Sequence, residues 1–381
     1  MAECKYGSMK NILMIFLCFF QVGLGPVIKI TAQEPFDSGI SGVYEVILAV
    51  DDISYSIRYW ADYGFRVVDS AEISANKAME LYGVDSQLKV FRLQNGDIDS
   101  HGLLRLWKWE NPVGPGVGYS EPETIGSRMA VMKTNDIMRL YDVYGFLRDN
   151  KNKWLPTEPI TDDLFGLNTG DRDFLKRPVL VRENAVYGEY FNHVFFQRYG
   201  YEIPGYGTIH PETPLKTSEF THHDWIIKAD NMDPLKYIVD VLGFKSEGDP
   251  VISGDWQKGP KRVFMMRDGY AHLYQGFVSP NNICGKLKFF IPLGPKPDKS
   301  HLQAPGQLGI TMHSLYAPDI IKIRNRALEY TGLEVSDILK NEFGEVSFII
   351  KDSVGVIWQI IQKTETKNKP ATKVEFTFTN N

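Results

Sequence analysis

The chain has 381 residues, 43% of them hydrophobic and 23% charged, which is ordinary for a globular protein with enough chain for more than one domain. Its formal net charge of −5 gives no general pull toward nucleic acid or an anionic membrane surface. Of the three cysteines, Cys4 and Cys18 fall in the first stretch, leaving Cys284 as a packed or idle thiol and excluding a disulfide scaffold.

Residues 1–32 stand apart. Lys5 and Lys10 precede the apolar run Ile12 to Phe20, Gly23, Gly25 and Pro26 close it, and Thr31-Ala32 offers small residues before Gln33. Basic, then apolar, then small is the order of an export signal, with Met9 a tidier start than Met1, and it predicts a secreted or periplasmic protein. Left uncleaved, the same segment is an N-terminal anchor and the chain's one route to a membrane, although its apolar core is marginal for a full span.

The first periodic unit runs from Gly42 to Val68. Val46 to Val50 has strand length and β-branched character, and Asp51-Asp52 can cap a helix. Ile53, Ile57, Trp60 and Ala61 then recur at helical spacing, Gly64 stops the helix, and Phe65, Val67 and Val68 resume an extended pattern. Leu88 to Leu93 and Leu103 to Trp109 read as further strands, and the Pro/Gly-rich stretch Asn111 to Ser120 marks a boundary.

The unit returns at Met129 to Phe146 with a shorter helix, at His223 to Phe244, and at Gly309 to Val335. The stop glycines Gly64, Gly145, Gly243 and Gly332 are thus roughly 80–100 residues apart, too far for solenoid repeats and right for small α+β modules. The second module has an irregular middle, Asn150 to Asp173, that predicts a long loop or lid, including the solvated acids Asp162-Asp163 and Asp171-Asp173. Tyr190 to Gln197 closes it, and the linker Gly200 to Glu219 follows. The third module is expected to close on a hairpin, Arg262 to Phe277, turning at Asp268-Gly269. A linker, Ser279 to Gly306, with one apolar patch at Leu287 to Leu293, leads to the fourth module, which ends on Glu345 to Lys363. No phosphate-binding glycine loop and no nucleophile elbow occur.

A repeated strand–Asp–helix–Tyr-Gly-Phe opening, closed by an Asp-x-x-Gly turn and an apolar strand, resembles the vicinal oxygen chelate superfamily of glyoxalases, extradiol dioxygenases and bleomycin-resistance proteins. The resemblance covers nearly all of the chain after the leader and is weakest in the second module. It implies an α+β protein of four βαβββ glyoxalase-like modules arranged as two pairs, each pair forming a cup-shaped mixed sheet. The expected division is 38–200 for the first pair (modules 40–110 and 126–200), 215–365 for the second (219–278 and 306–365), and a flexible tail over 366–381.

The resemblance also implies ligand positions on the first and last strand of each module. Carried over, the first-strand positions are Glu45, Arg128, His223 and either Met312 or His313; the last-strand positions are Leu106, Asn192, Leu273 and Gln359, with His193 and His272 one step away. The implied metal set is therefore His223, His313 and Gln359, with His272 in reserve, holding one divalent ion (zinc, nickel, manganese or iron) in the second pair. The set lacks the carboxylate usual in the family, which makes dioxygenase chemistry a poorer match than a lyase or isomerase. Glu45 and Arg128 read as an ion pair across the first pair or as charged contacts to a ligand, with Trp107, Trp109, Tyr187 and Tyr190 as possible walls; Tyr270 and Tyr274 would shape the second cup. The expected function is a secreted, metal-dependent lyase or isomerase acting on a small oxygen-rich molecule. The alternatives are a metal-free protein that sequesters a small molecule and a scaffold with both cups filled by side chains.

Overall fold

The computed structural model describes residues 36–40, 42–162, 180–203, 205–280 and 285–363. Residues 1–32, Cys284, Asp163, Asp171, Asp173 and residues 364–381 lie outside these residues. Among the described residues no helix is long and apolar enough to cross a membrane.

Each module supplies its own strands and helices. The first contains β1 (Val43–Ala49), α1 (Ile53–Asp62), β2 (Phe65–Ile73), α2 (Ala75–Tyr82), β3 (Leu88–Asn95) and β4 (Leu103–Trp109). The second contains β5 (Arg128–Thr134), α3 (Ile137–Asp149), β6 (Leu155–Pro156), β7 (Ile160–Asp162), β8 (Leu180–Tyr187) and β9 (Asn192–Tyr199). The third contains β10 (Thr217–Ile226), α4 (Tyr237–Asp240), β11 (Lys245–Ser246), β12 (Val251–Gly254), α5 (Lys258–Val263), β13 (Ala271–Val278) and β14 (Lys286–Pro292). The fourth contains β15 (Gly309–Ala317), α6 (Ile320–Glu329), β16 (Glu334–Val335), β17 (Leu339–Lys340), β18 (Val346–Lys351) and β19 (Ile357–Gln362).

The local signals act as their chemistry requires. Asp52 caps α1 by accepting from the Tyr55 amide at 2.8 Å, and Asp319 caps α6 by accepting from Lys322 at 3.0 Å. Gly64 and Gly332 follow α1 and α6 at φ +86° and +92°, where a Cβ would be strained. In the second module Gly145 does not stop the helix; α3 runs through it to Asp149 and is the longest of the helices described, because one helix-interior glycine costs only about 1 kcal/mol. In the third module Pro234 opens a short 3-10 turn, and only a four-residue helix follows.

The strands form two mixed sheets, in the orders β16-β18-β19-β15-β1-β4-β3-β2 and β11-β13-β14-β10-β5-β9-β8-β6. The first sheet therefore joins modules one and four, and the second joins modules two and three, where consecutive pairing had been expected. The seams are antiparallel: β1 lies beside β15 with Glu45 opposite Ser314, and β5 lies beside β10 with Met129 opposite Asp224. Two Pro/Gly-rich linkers carry the chain from one sheet to the other and run side by side, bridging at Gly114–Gln307 and Ile125–Asp298. Nothing in a module's own apolar period specifies which first strand it meets, so sequence patterning could not choose the seam.

The third module closes differently from expectation. Arg262 and Val263 belong to α5, and Leu287 to Pro292, expected in a linker, is the closing strand β14. The sheets pack back to back. Val46, Leu48 and Leu106 of the first share one core with Ala130, Met132 and Phe195 of the second, closed by Trp60 of α1 and Tyr144 of α3. A second shared core joins Trp225, Phe289, Leu315 and Trp358 with α4 and α6. Each sheet keeps a second face, and the two faces differ sharply in chemistry.

Candidate functional site

In the first sheet the inner face is occupied by its own side chains. Glu45 is buried and meets Arg105, takes a 2.6 Å hydrogen bond from Arg92 Nε, and accepts from Ser314 Oγ at 2.6 Å. The guanidinium of Arg105 also donates to Gln359 Oε1 at 2.6 Å and to Glu342 Oε1 at 3.0 Å, while Trp107 Nε1 donates to the same Glu342 oxygen at 3.1 Å. Burial by itself would raise the Glu45 carboxyl, but Arg105 and Arg92 outweigh it and hold the group down at about 2. A guanidinium thus stands where Glu45 and Gln359 converge, and it neutralises the donors that a metal ion would need. These residues do not fit a divalent ion.

The expected metal set is not brought together. In the register of β15 and β19, Ser314 lies beside Gln359, whereas His313 lies beside Trp358 on the opposite face. Met312 rather than His313 belongs to the inner-face cluster, with Ile47 and Trp107. His223 and His313 meet each other between the two sheets, ring centroids 5.2 Å apart and nearly perpendicular, among Trp225, Phe220 and Trp358. None of their four ring nitrogens has a hydrogen-bond partner. Burial holds His223 down to about 3 and His313 well below the usual range, so both are neutral. The one-residue alternation of a strand is decisive here: His222, not His223, lies on the inner face of the second sheet, edge-on to Phe196 at 5.4 Å. Among the described residues no cluster of three His, Cys, Asp or Glu side chains is placed to hold a metal.

The expected Glu45–Arg128 pair is also absent. Arg128 donates to the backbone carbonyls of Ile310 at 3.1 Å and Gly355 at 2.8 Å, and burial lowers its guanidinium to about 10. Trp107 and Trp109 are core in the first sheet, and Tyr187 donates to the Val263 carbonyl at 2.8 Å. Tyr270 lies under the Lys296 ammonium, 5.0 Å from its ring centre, as a cation–π contact.

The second sheet keeps an open pocket of about 170 Å³, lined by Glu183, Asp224, His272, Tyr274 and Lys288 with Phe196, Phe264 and Phe290 as apolar walls. Asp224 lies on β10 directly beside Lys288 on β14. It is 3% exposed, and its Oδ1 has no hydrogen-bond partner. Burial raises its carboxyl to about 6, against the pull of Lys288 and Lys286. Half-buried Glu183, on β8, is raised to about 7 by burial, with Lys288 opposing and Asp162 and Asp224 adding to the rise. The Lys288 ammonium sits 4.9 Å from the centre of the Phe196 ring.

His272 completes the pocket. Its Nδ1 lies 2.8 Å from Glu123 Oε1, and the ring packs against Phe264 and Phe290. Glu123 is itself buried, holds a 3.1 Å ion pair to Lys296, and sits at φ +63°, a backbone conformation that costs a non-glycine residue of order 1 kcal/mol or more. Of the residues expected to form a site, only His272 and Tyr274 therefore line this pocket. Asp224, Glu183, Lys288 and Glu123 were missed. Lys288 stood in a presumed linker, although its alternation with Leu287 and Phe289 carried a weak strand signal.

No protein-family model matches the chain, and no curated protein matches it. Solved structures do match its shape. A putative dioxygenase from Bacillus subtilis subsp. subtilis str. 168 superposes with a TM-score of 0.50 at 11% identity, covering 86% of each chain. A mutant of glyoxalase I from Zea mays superposes with a TM-score of 0.50 at 10% identity, covering 85% of this chain and 94% of that one. With its two curled sheets built from repeated modules, the protein has the vicinal oxygen chelate fold.

Proposed function

We propose that this protein is a lyase or isomerase that moves protons on a small oxygen-bearing molecule, bound in the pocket of the second sheet. The observation that carries the reading is Asp224, a buried carboxylate left without a hydrogen-bond partner at Oδ1 beside an open pocket and next to Lys288. Buried carboxylates are normally paired or hydrogen-bonded, and one that is not marks a place where a ligand supplies the partner.

The pocket divides into roles. Lys288 supplies a fixed positive charge for an oxygen that gains electron density. Asp224 and Glu183, held near neutrality by burial, can each lose or take a proton at physiological pH. Two carboxyls whose environments place them near pH 7 allow one to abstract a proton while the other returns it. His272, oriented by Glu123, offers a further polar contact, and Phe264 and Phe290 exclude water from one side. The basic, apolar, small order of residues 1–32 supports action after export.

The test is solvent exchange. Small α-hydroxycarbonyl compounds are incubated with the protein in deuterated water, and loss of the C–H signal is followed by NMR. The wild-type protein should catalyse exchange, and Asp224→Asn should slow it by about a hundredfold or more, the usual size of a general acid–base contribution. Equal exchange by wild type and Asp224→Asn would sink the assignment.

A further inference from the structure

A second cavity lies away from both sheet faces just described, beside α1 and the loop ahead of β9. It measures about 250 Å³, and its walls include Tyr55, Tyr59, Trp60, Trp154, Tyr190 and Phe191. Trp154 and Tyr59 stack on each other, ring centres 5.8 Å apart and planes at 5°, and both line the cavity.

The hydroxyls of Tyr59 and Tyr190 are already committed. Tyr59 OH is hydrogen-bonded to Tyr144 OH and lies 2.6 Å from His193 Nε2, in a buried cluster that also takes in Tyr63. Tyr190 OH donates to Asp51 Oδ2 at 2.8 Å. These bonds fix the Tyr59 and Tyr190 rings in the cavity lining. The charged groups lining the cavity are Asp51, Glu189 and Lys153, and Lys153 is ion-paired to Glu189. The lining therefore carries one net negative charge, with exposed Asp51 as its source. Fixed aromatic rings beside a carboxylate attract a cation, whereas an anion finds no free ammonium.

We propose that this cavity binds a small organic cation, a quaternary or protonated amine, against Tyr59, Trp154 and Tyr190 with Asp51 as its counter-charge. The site is separate from the proton-transfer pocket and stands or falls independently of it.

The test is calorimetric titration of the full-length protein with choline and with its uncharged isostere, in which tert-butyl replaces trimethylammonium. Choline should bind at one saturable site, with the isostere about tenfold weaker or more, as a cation–π contact to desolvated rings requires. Asp51→Asn, a change at an exposed position, should weaken choline severalfold, and Trp154→Phe should weaken it less than Trp154→Ala. No saturable choline binding, equal affinity for the isostere, or unchanged affinity in Asp51→Asn would each overturn the proposal.

Discussion

Arg105 and Glu45 lie against each other, both without solvent exposure, at the point where β1, β4, β15 and β19 converge. The pair is one part of a network that also ties in Arg92, Glu342 and Gln359. It fills the first sheet's inner face with the sheet's own charged and polar side chains, whereas the second sheet keeps an open pocket.

Breaking that network should be costly. Arg105→Ala leaves Glu45 and Glu342 buried beside an empty site, and urea unfolding should show a loss of about 3–5 kcal/mol. The pH dependence has a definite sign. Glu45 is held at about 2 in the folded protein against an ordinary 4.5, so its contribution is complete above about 4.5 and disappears as pH falls through 2. Glu45→Gln should therefore flatten this part of the acid limb of the stability curve. An unchanged acid limb would mean the ion pair is not formed in solution.

Asp224 should behave in the opposite sense. Its folded-state value of about 6 lies above the ordinary 3.8, so the stability gained from the protonated form is full below about 3.8 and lost as pH rises through 6. Asp224→Asn should stabilise the protein by about 1–3 kcal/mol at pH 8 and have little effect near pH 3.5, read from melting curves at the two pH values. Destabilisation at pH 8 would show that the carboxylate has a partner.

The buried imidazoles offer a third check. His223 and His313 sit in an aromatic core with no hydrogen bond to either ring nitrogen. His223→Leu or His313→Leu removes unsatisfied polar atoms at similar volume, so stability should be unchanged or higher by about 1 kcal/mol. Elemental analysis should find the same metal content in these variants as in the wild type. A loss of metal in either would restore these residues as ligands.

Glu123 links two groups that do not otherwise meet, His272 at 2.8 Å and Lys296 at 3.1 Å. Glu123→Gln should cost about 2–4 kcal/mol in chemical denaturation, because the nearly buried Lys296 ammonium loses its nearer carboxylate and keeps only that of the half-exposed Glu121, 3.8 Å away. It should also reduce exchange activity in proportion to any role of His272 in the pocket. A variant as stable as wild type would show that Lys296 finds its counter-charge elsewhere.

How far the sequence could be read depends on the range of each signal. The strand–Asp–helix–Gly units are local, and Asp52, Asp319, Gly64 and Gly332 act where the pattern placed them. The seam between first strands is not local, so the joining of module one to module four was invisible. Gly145 misled because a glycine inside a helix looks like one that ends it. The pocket was missed through parity: a shift of one residue exchanges His223 for Asp224 and His222, and with it the core for the cup. Lys288 was hidden for another reason. The turn residues over 279–285 read as the start of a linker instead of a short turn into one more strand.

The most direct measurement is a carbon-13 titration of the side-chain carboxyls in wild type, Asp224→Asn and Glu183→Gln. One resonance should titrate at about 6 and vanish in Asp224→Asn, and one at about 7 should vanish in Glu183→Gln. The Glu183 value should also fall in Asp224→Asn, because the neighbouring negative charge is gone. If both groups titrate in the ordinary carboxylate range, the second sheet holds no proton-transfer pair and the proposed activity is contradicted.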